Sequence, residues 1–288
     1  MFNIKDEKLK KILPTDGPSI NEVKKYLDKY NEEYIVIKCG GSVLIDNNLF
    51  DIFCKNIVTL NKIGFIPVIV HGGGRRISNK LNELGIKSKF IKGLRVTGKE
   101  TIQVVEDVLI KFNREIVETL EKQNCKSQCI NSKENNIISV ERDNEELGFV
   151  GSPININKSI IDKIVYEKKV PVIAPLGLSI NNQTYNINAD TAAGSIAKKL
   201  KARRLIIMSD VEGVLDSNNK LIPEINSGSI KNLIENNTIT GGMIPKINNC
   251  LDVASNGVKG VVIIDGRKNH SLLFELLSDK GSGTLIRQ

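Results

Sequence analysis

Five short apolar runs, rich in β-branched residues and continuous rather than alternating, constrain this chain more than any other feature. YIVIK (34–38) runs into Cys39-Gly40-Gly41, and FIPVIV (65–70) runs into His71-Gly72-Gly73-Gly74. VPVIAP (170–175), RLIIMSD (204–210) and GVVIIDG (260–266) follow. A strand apolar on both faces must be covered on both faces, which suits a parallel sheet and not an open meander. Helical patterns lie between the runs, around 48–62, 99–122, 190–201, 229–236 and 269–278. The chain is therefore predicted to be α/β, a three-layer αβα sandwich around a mainly parallel central sheet.

Ahead of the first run, Ser19 and Glu22 stand at capping-box spacing, and Ile20, Val23, Leu27 and Tyr30 recur at helical intervals. This predicts a short amphipathic helix outside the main fold, either packed on its own domain or serving as an arm for another subunit. The polar stretch 130–146 interrupts the rhythm and predicts a hairpin or surface excursion. Residues 1–33 then read as an N-terminal extension, 34–180 as an N-terminal lobe and 181–288 as a C-terminal lobe.

The net charge of +8 comes from lysines spread along all 288 residues, with no arginine-rich tail and no aromatic-interleaved basic run. That excludes a nucleic-acid partner and leaves a bias toward small anionic substrates. The five cysteines, Cys39, Cys54, Cys125, Cys129 and Cys250, are scattered, and His71 and His270 are the only imidazoles. Neither a zinc site nor a disulfide framework follows, and a reducing cytoplasm is expected. Cys39 has no base beside it and reads as a small buried residue. The start carries charges of both signs without an apolar core, unlike a secretory signal, and no run approaches the roughly 20 apolar residues that span a bilayer. No membrane partner is expected.

The two glycine turns lie at the carboxyl ends of presumed parallel strands, where open α/β sheets bind ligands. Glycine there lets backbone N–H groups approach an anion, with phosphate the natural guest. Gly72-Gly73-Gly74 is followed by Arg75-Arg76-Ile77 and lacks the third glycine of a dinucleotide fingerprint, which counts against a nicotinamide enzyme. GLRVTGKE (93–100) imitates a P-loop but ends in Glu100, a carboxylate that would repel phosphates. Thr97 and Glu100 read instead as a capping box opening the helix from Lys99, which leaves Arg95 on an outward-facing loop, suited to gripping a carboxylate.

IKCGGSVL, VIVHGGG, GLRVT, VPVIAPLG, YNINADTAAG, IIMSDVEGVLD, GGMIPK and GVVIIDGR occur in this order over residues 34–288. Together they resemble the acetylglutamate kinases of the amino acid kinase family, in the arginine-inhibited hexameric subset. The resemblance implies the amino acid kinase fold and transfer of the ATP γ-phosphoryl group to the side-chain carboxylate of N-acetyl-L-glutamate, a step of arginine biosynthesis. It implies that Lys38 and Lys246 stabilise charge on the moving phosphoryl group and that Asp190 holds both. Gly73, Gly74, Arg95, Asn186 and Asn188 would bind the acceptor, and Gly40, Gly41, Ser209, Asp210, Gly213 and Gly242 the nucleotide. Magnesium would arrive with ATP through phosphate oxygens and water, so no protein metal cage and no prosthetic group are expected. The hexameric subset further implies a dimer core assembled as a trimer of dimers and feedback inhibition by L-arginine near His270, Glu275 and Gly283.

Three departures from the family pattern stand out. Arg75-Arg76 replaces the usual Pro-Gln, adding two positive charges beside the substrate entrance; DVLIKFNREIV is one residue short; and 127–135 lacks the glycines of a small hairpin. An N-acylated aminoadipate-type acceptor is the alternative within the fold, ahead of aspartate or a nucleoside monophosphate, and a catalytically silent arginine sensor is the alternative outside catalysis.

Overall fold

The computed structural model describes residues 4–241 and 243–288. The chain opens with α1 (Asp6–Ile12) and α2 (Ile20–Tyr30), then runs through β1 (Tyr34–Cys39), a 3-10 turn (Gly41–Leu44), α3 (Asn47–Lys62), β2 (Ile66–His71) and α4 (Gly74–Glu83). The short pair β3 (Phe90–Ile91) and β4 (Leu94–Arg95) precedes the long α5 (Lys99–Lys122). Next come β5 (Ser127–Ile130), β6 (Ile138–Arg142), β7 (Gly151–Ile156), α6 (Lys158–Tyr166), β8 (Val170–Ile173), β9 (Leu176–Leu178) and β10 (Thr184–Asn186). The remainder is α7 (Ala189–Leu200), β11 (Arg204–Ser209), β12 (Glu224–Asn226), α8 (Ser227–Glu235), α9 (Met243–Ser255), β13 (Val261–Asp265), α10 (Ser271–Leu277) and β14 (Gly283–Arg287).

All five apolar runs become strands of one eight-stranded sheet, ordered β12-β14-β13-β11-β1-β2-β8-β5. Its pairs are parallel except β13 with β14. The period-2 alternation of β1 explains the layers. Ile35 and Ile37 join the core under α2, α3 and α10, while Val36 joins the core under α7 and α9. Lys38, two residues after Val36, is carried to that second face at the carboxyl edge of the sheet. Successive connections leave β1 for β2 on one side, whereas β11 lies on the other. The carboxyl ends of β1 and β11 thus flank the kind of crevice in which such sheets hold ligands.

Several expectations change here. The α2 helix does form on a reciprocal capping box, with Ser19 Oγ accepting from Glu22 N at 3.3 Å and Glu22 Oε2 accepting from Ser19 N at 3.2 Å. It is not outside the main fold, however, because Val23, Leu27 and Tyr30 are buried in the core beneath α10. Residues 127–130 form the parallel edge strand β5. The hairpin pairs β6 with β7, beginning inside 130–146 and ending beyond it, in a second sheet ordered β10-β9-β6-β7. Helices α1, α4, α6 and α9 were not expected from periodicity. The reason for α4 is that two glycines precede it, a third is its first residue, and only Ile77 and Leu81 mark its buried face.

Candidate functional site

Lys38 Nζ lies 2.9 Å from Asp190 Oδ1, and Lys246 Nζ lies 3.0 Å from Asp190 Oδ2. One carboxylate therefore bridges an ammonium from a strand end and another from the first turns of α9. Asp190 stands in the first turn of α7, which Asn188 caps by accepting from the N–H groups of Asp190 at 2.9 Å and Thr191 at 3.1 Å. Asn249 adds a bond from its Nδ2 to the Asp190 carbonyl at 3.4 Å. Burial by itself would raise the Asp190 carboxyl, but Lys38 and Lys246 outweigh it and hold the group down to about 2. The ammonium of Lys38 curls under the Gly40 backbone, where a Cβ would sit 2.6 Å from it.

Beside this cluster lies a cavity of about 230 Å³ lined by Lys38, the two glycine turns, Arg95, Asn186 and Asn188. Arg95 does not face outward. It is buried, its Nη2 donating to Gly74 O at 2.9 Å and Ser78 Oγ at 2.8 Å, its Nη1 donating to Ser88 Oγ at 2.6 Å, and its plane lying over Phe90. Burial lowers its pKa, yet a guanidinium stays charged. Three of its five N–H donors are used among the described residues, so two remain for a carboxylate. The predicted capping box at 97–100 does not form. Gly98 is the N-cap of α5, and the fully buried Thr97 donates to Arg95 O at 2.9 Å and accepts from Asn186 Nδ2 at 3.3 Å. Thr97 thereby joins the two candidate acceptor-binding side chains.

Across the crevice, Asp210 accepts from Ser42 N at 2.8 Å and pairs with Arg75 at 3.3 Å. It closes the Gly41 turn, whose left-handed φ of +65° and want of a Cβ leave room for that carboxylate. The two extra arginines are not loose charges at the entrance. Arg76 donates to Leu44 O, pairs with Glu115 at 2.6 Å and lies over the Phe112 ring, while Arg75 is matched by Asp210. Ser209 ends β11 beside Asp265, outside the cavity lining, and Gly213 packs against Thr284. Gly242 lies outside the described residues.

The expected effector residues are drawn into the fold. His270 holds Asn56 Oδ1 at 2.7 Å and Asp16 at 3.1 Å through its two ring nitrogens. Glu275, raised in pKa by burial, accepts from Ser282 N at 2.8 Å, and Gly283 starts β14. All five cysteines are free thiols, with Cys39 buried and its pKa raised by that burial. Among the described residues no group of three or more His, Cys, Asp or Glu side chains is arranged to hold a metal ion, and no helix is long and apolar enough to cross a membrane. Sequence reasoning missed Ser78 and Ser88, which orient Arg95, and Phe90 and Val150 in the cavity wall. It also missed Asn113, whose signal was a polar residue inside the buried stripe of α5.

The sequence pattern of the amino acid kinase family matches residues 33–265. A curated relative, acetylglutamate kinase from Pelagibacter ubique (strain HTCC1062), is 67% identical over 288 residues, covering 100% of both chains. Among solved structures, smu.665 from Streptococcus mutans UA159 is 31% identical with a TM-score of 0.75, covering 88% of this chain and 98% of that one. N-acetylglutamate synthase from Neisseria gonorrhoeae shares the fold alone, at 19% identity and a TM-score of 0.84, over 94% of this chain and 64% of its own length.

Proposed function

The chain belongs to the amino acid kinase family, and on that premise we propose that it phosphorylates the side-chain carboxylate of N-acetyl-L-glutamate with ATP, in arginine biosynthesis. The observation that carries the reading is the Lys38–Asp190–Lys246 bridge, whose Lys38 lines the same cavity as Arg95. The acceptor carboxylate is ionised at neutral pH, so no base is needed. Its oxygen forms the new bond to the γ-phosphorus as the bond to the β,γ-bridging oxygen breaks, yielding an acyl phosphate and ADP. Catalysis is then positioning and charge neutralisation. Lys38 and Lys246 meet the negative charge spread over the phosphoryl oxygens, and Asp190 fixes their places. Gly40, Gly41, Gly73 and Gly74 offer backbone N–H groups, and Arg95 takes the α-carboxylate with Asn186 and Asn188 near the acetamido end. The C-terminal lobe, with Ser209, Asp210 and Gly213, takes the nucleotide, and magnesium arriving with ATP would supply further charge neutralisation.

The test is ADP release and hydroxamate trapping of acyl phosphate with N-acetyl-glutamate, N-acetyl-aminoadipate, aspartate and UMP. N-acetyl-glutamate is expected to give the highest kcat/KM; a higher value for N-acetyl-aminoadipate moves the assignment to that acceptor, and no turnover with any removes it. Feedback by L-arginine, with hexamer formation, belongs to the same reading and is placed near Glu275 and the start of β14. His270 is a weaker contributor because both its ring nitrogens are occupied. Unchanged activity at millimolar arginine would remove the regulatory part alone.

A further inference from the structure

His71 ends β2 immediately before the second glycine turn, fully buried and outside the cavity lining. Its Nδ1 lies 2.9 Å from the Gly72 carbonyl oxygen. A carbonyl can only accept, so Nδ1 carries the proton. Its Nε2 lies 3.2 Å from Asn113 Nδ2, which also donates to Val172 O at 2.9 Å, while Asn113 Oδ1 accepts from Asn131 Nδ2 at 3.3 Å. The ring meets Phe112 edge-on at 5.1 Å. Burial, with Arg76 nearby, lowers the imidazole pKa to about 4, so the ring is neutral at physiological pH and Nε2 is an acceptor. Each ring nitrogen has one partner of the correct kind, and the side chain is pinned between β2, α5 and β8.

The consequence lies in the Gly72–Gly73 peptide. That peptide is trans, so its C=O and N–H point in opposite directions. With Gly72 O drawn into the interior by His71, the Gly73 N–H is turned the other way, toward the cavity that Gly72, Gly73 and Gly74 line. Among the described residues that N–H has no protein acceptor. A peptide between two glycines has little steric resistance to turning over, so its orientation depends on a hydrogen bond.

We propose that His71 is a positioning residue, whose Nδ1–H holds the Gly72–Gly73 peptide so that the Gly73 N–H faces the phosphoryl group in transit. The assignment rests on the phosphoryl-transfer reading above. It explains why a polar chain of three side chains runs through the core behind a turn that glycine alone could make.

Two variants separate positioning from packing. His71→Asn keeps an amide N–H near the Nδ1 position; His71→Gln keeps a polar group near Nε2 and loses the donor to Gly72. Removing an aligned donor from a developing charge lowers kcat, so His71→Gln is expected to lose roughly 10- to 100-fold in kcat with both KM values within about twofold. His71→Asn should recover most of that kcat. A wild-type kcat in His71→Gln, or His71→Asn as slow as His71→Gln, overturns the assignment. A readout independent of turnover is [¹⁵N]histidine NMR, where the sequence has two imidazoles and the His71→Asn spectrum identifies the signal lost. The proton is expected on Nδ1, and its appearance on Nε2 overturns the proposal. Protein that turns over no acceptor but shows the Nδ1–H ring supports the His71 geometry and counts against the substrate reading instead.

Discussion

The turns after β1 and β2 look alike in sequence, yet they are crowded by different things. At Gly40 and Gly41 a side chain would meet charged groups, the Lys38 ammonium at 2.6 Å and the Asp210 carboxylate at 2.5 Å. At Gly73 it would meet the apolar end of Leu109 at 2.5 Å, and at Gly74 nothing within 4 Å. The first turn is a seat for two charges, one from its own strand and one from beyond the end of β11. The second is a helix start whose backbone is set from behind, by His71. Glycine therefore serves electrostatics in one and access in the other.

Substitutions can break or sharpen that contrast. The largest effect is expected for Gly40→Ala. Its φ of −155° is ordinary and the colliding atom is the end of a flexible chain, so the fold should hold while the ammonium is displaced. A loss of about 100-fold in kcat with little change in Tm is expected, and full activity would show that the seat is unimportant. Acid should discriminate the turns next. The folded pKa of His71 is depressed to about 4, so between about 6.5 and 4 the unfolded chain binds the extra proton and stability falls as pH falls, by roughly 3 kcal/mol. Asp190, held at about 2, acts with the same sign in a lower window, from about 4 down to about 2. Denaturation midpoints against pH for the wild type and His71→Asn check this: the variant should lose the upper decline and keep the lower one. Gly41→Ala should cost about 2 kcal/mol from its positive φ, before any shift of Asp210, by urea unfolding. Smallest in stability is Gly74→Ala, expected to be neutral or slightly stabilising because it begins a helix in open space, while its methyl enters the cavity and raises the acceptor KM. A destabilised Gly74→Ala would erase the distinction between the turns.

How far the sequence could be read depended on whether neighbours or distant elements decided the outcome. The five strands were legible because burial on both faces writes itself into consecutive residues. Ser19-x-x-Glu22 formed its box because both groups are on the surface with no better partner. The same pattern at Thr97 and Glu100 failed because Thr97 is buried against Arg95 and Asn186, contacts set by β4 and β10. Arg95 was misread as outward-facing for the same reason, since Ser78 and Ser88 reach it from α4 and the loop after it. Helix α9 hid behind Pro245, which a first turn tolerates but a periodicity reading penalises. The lysine–carboxylate bridge was named from the motif context, because residues 38, 190 and 246 share no local pattern that would join them.

The bridge leaves a surplus. Two ammoniums share one carboxylate, and the Arg95 guanidinium meets only uncharged oxygens, so the crevice keeps a net positive field. Such a field gathers anions before contact, and its reach shrinks to about 8 Å at physiological ionic strength. Capture and release pull against each other in it, since ADP and an acyl phosphate leave against the same attraction that drew ATP in. Dilute buffer should therefore quicken substrate arrival while slowing product departure, and the salt concentration decides which of the two limits the cycle.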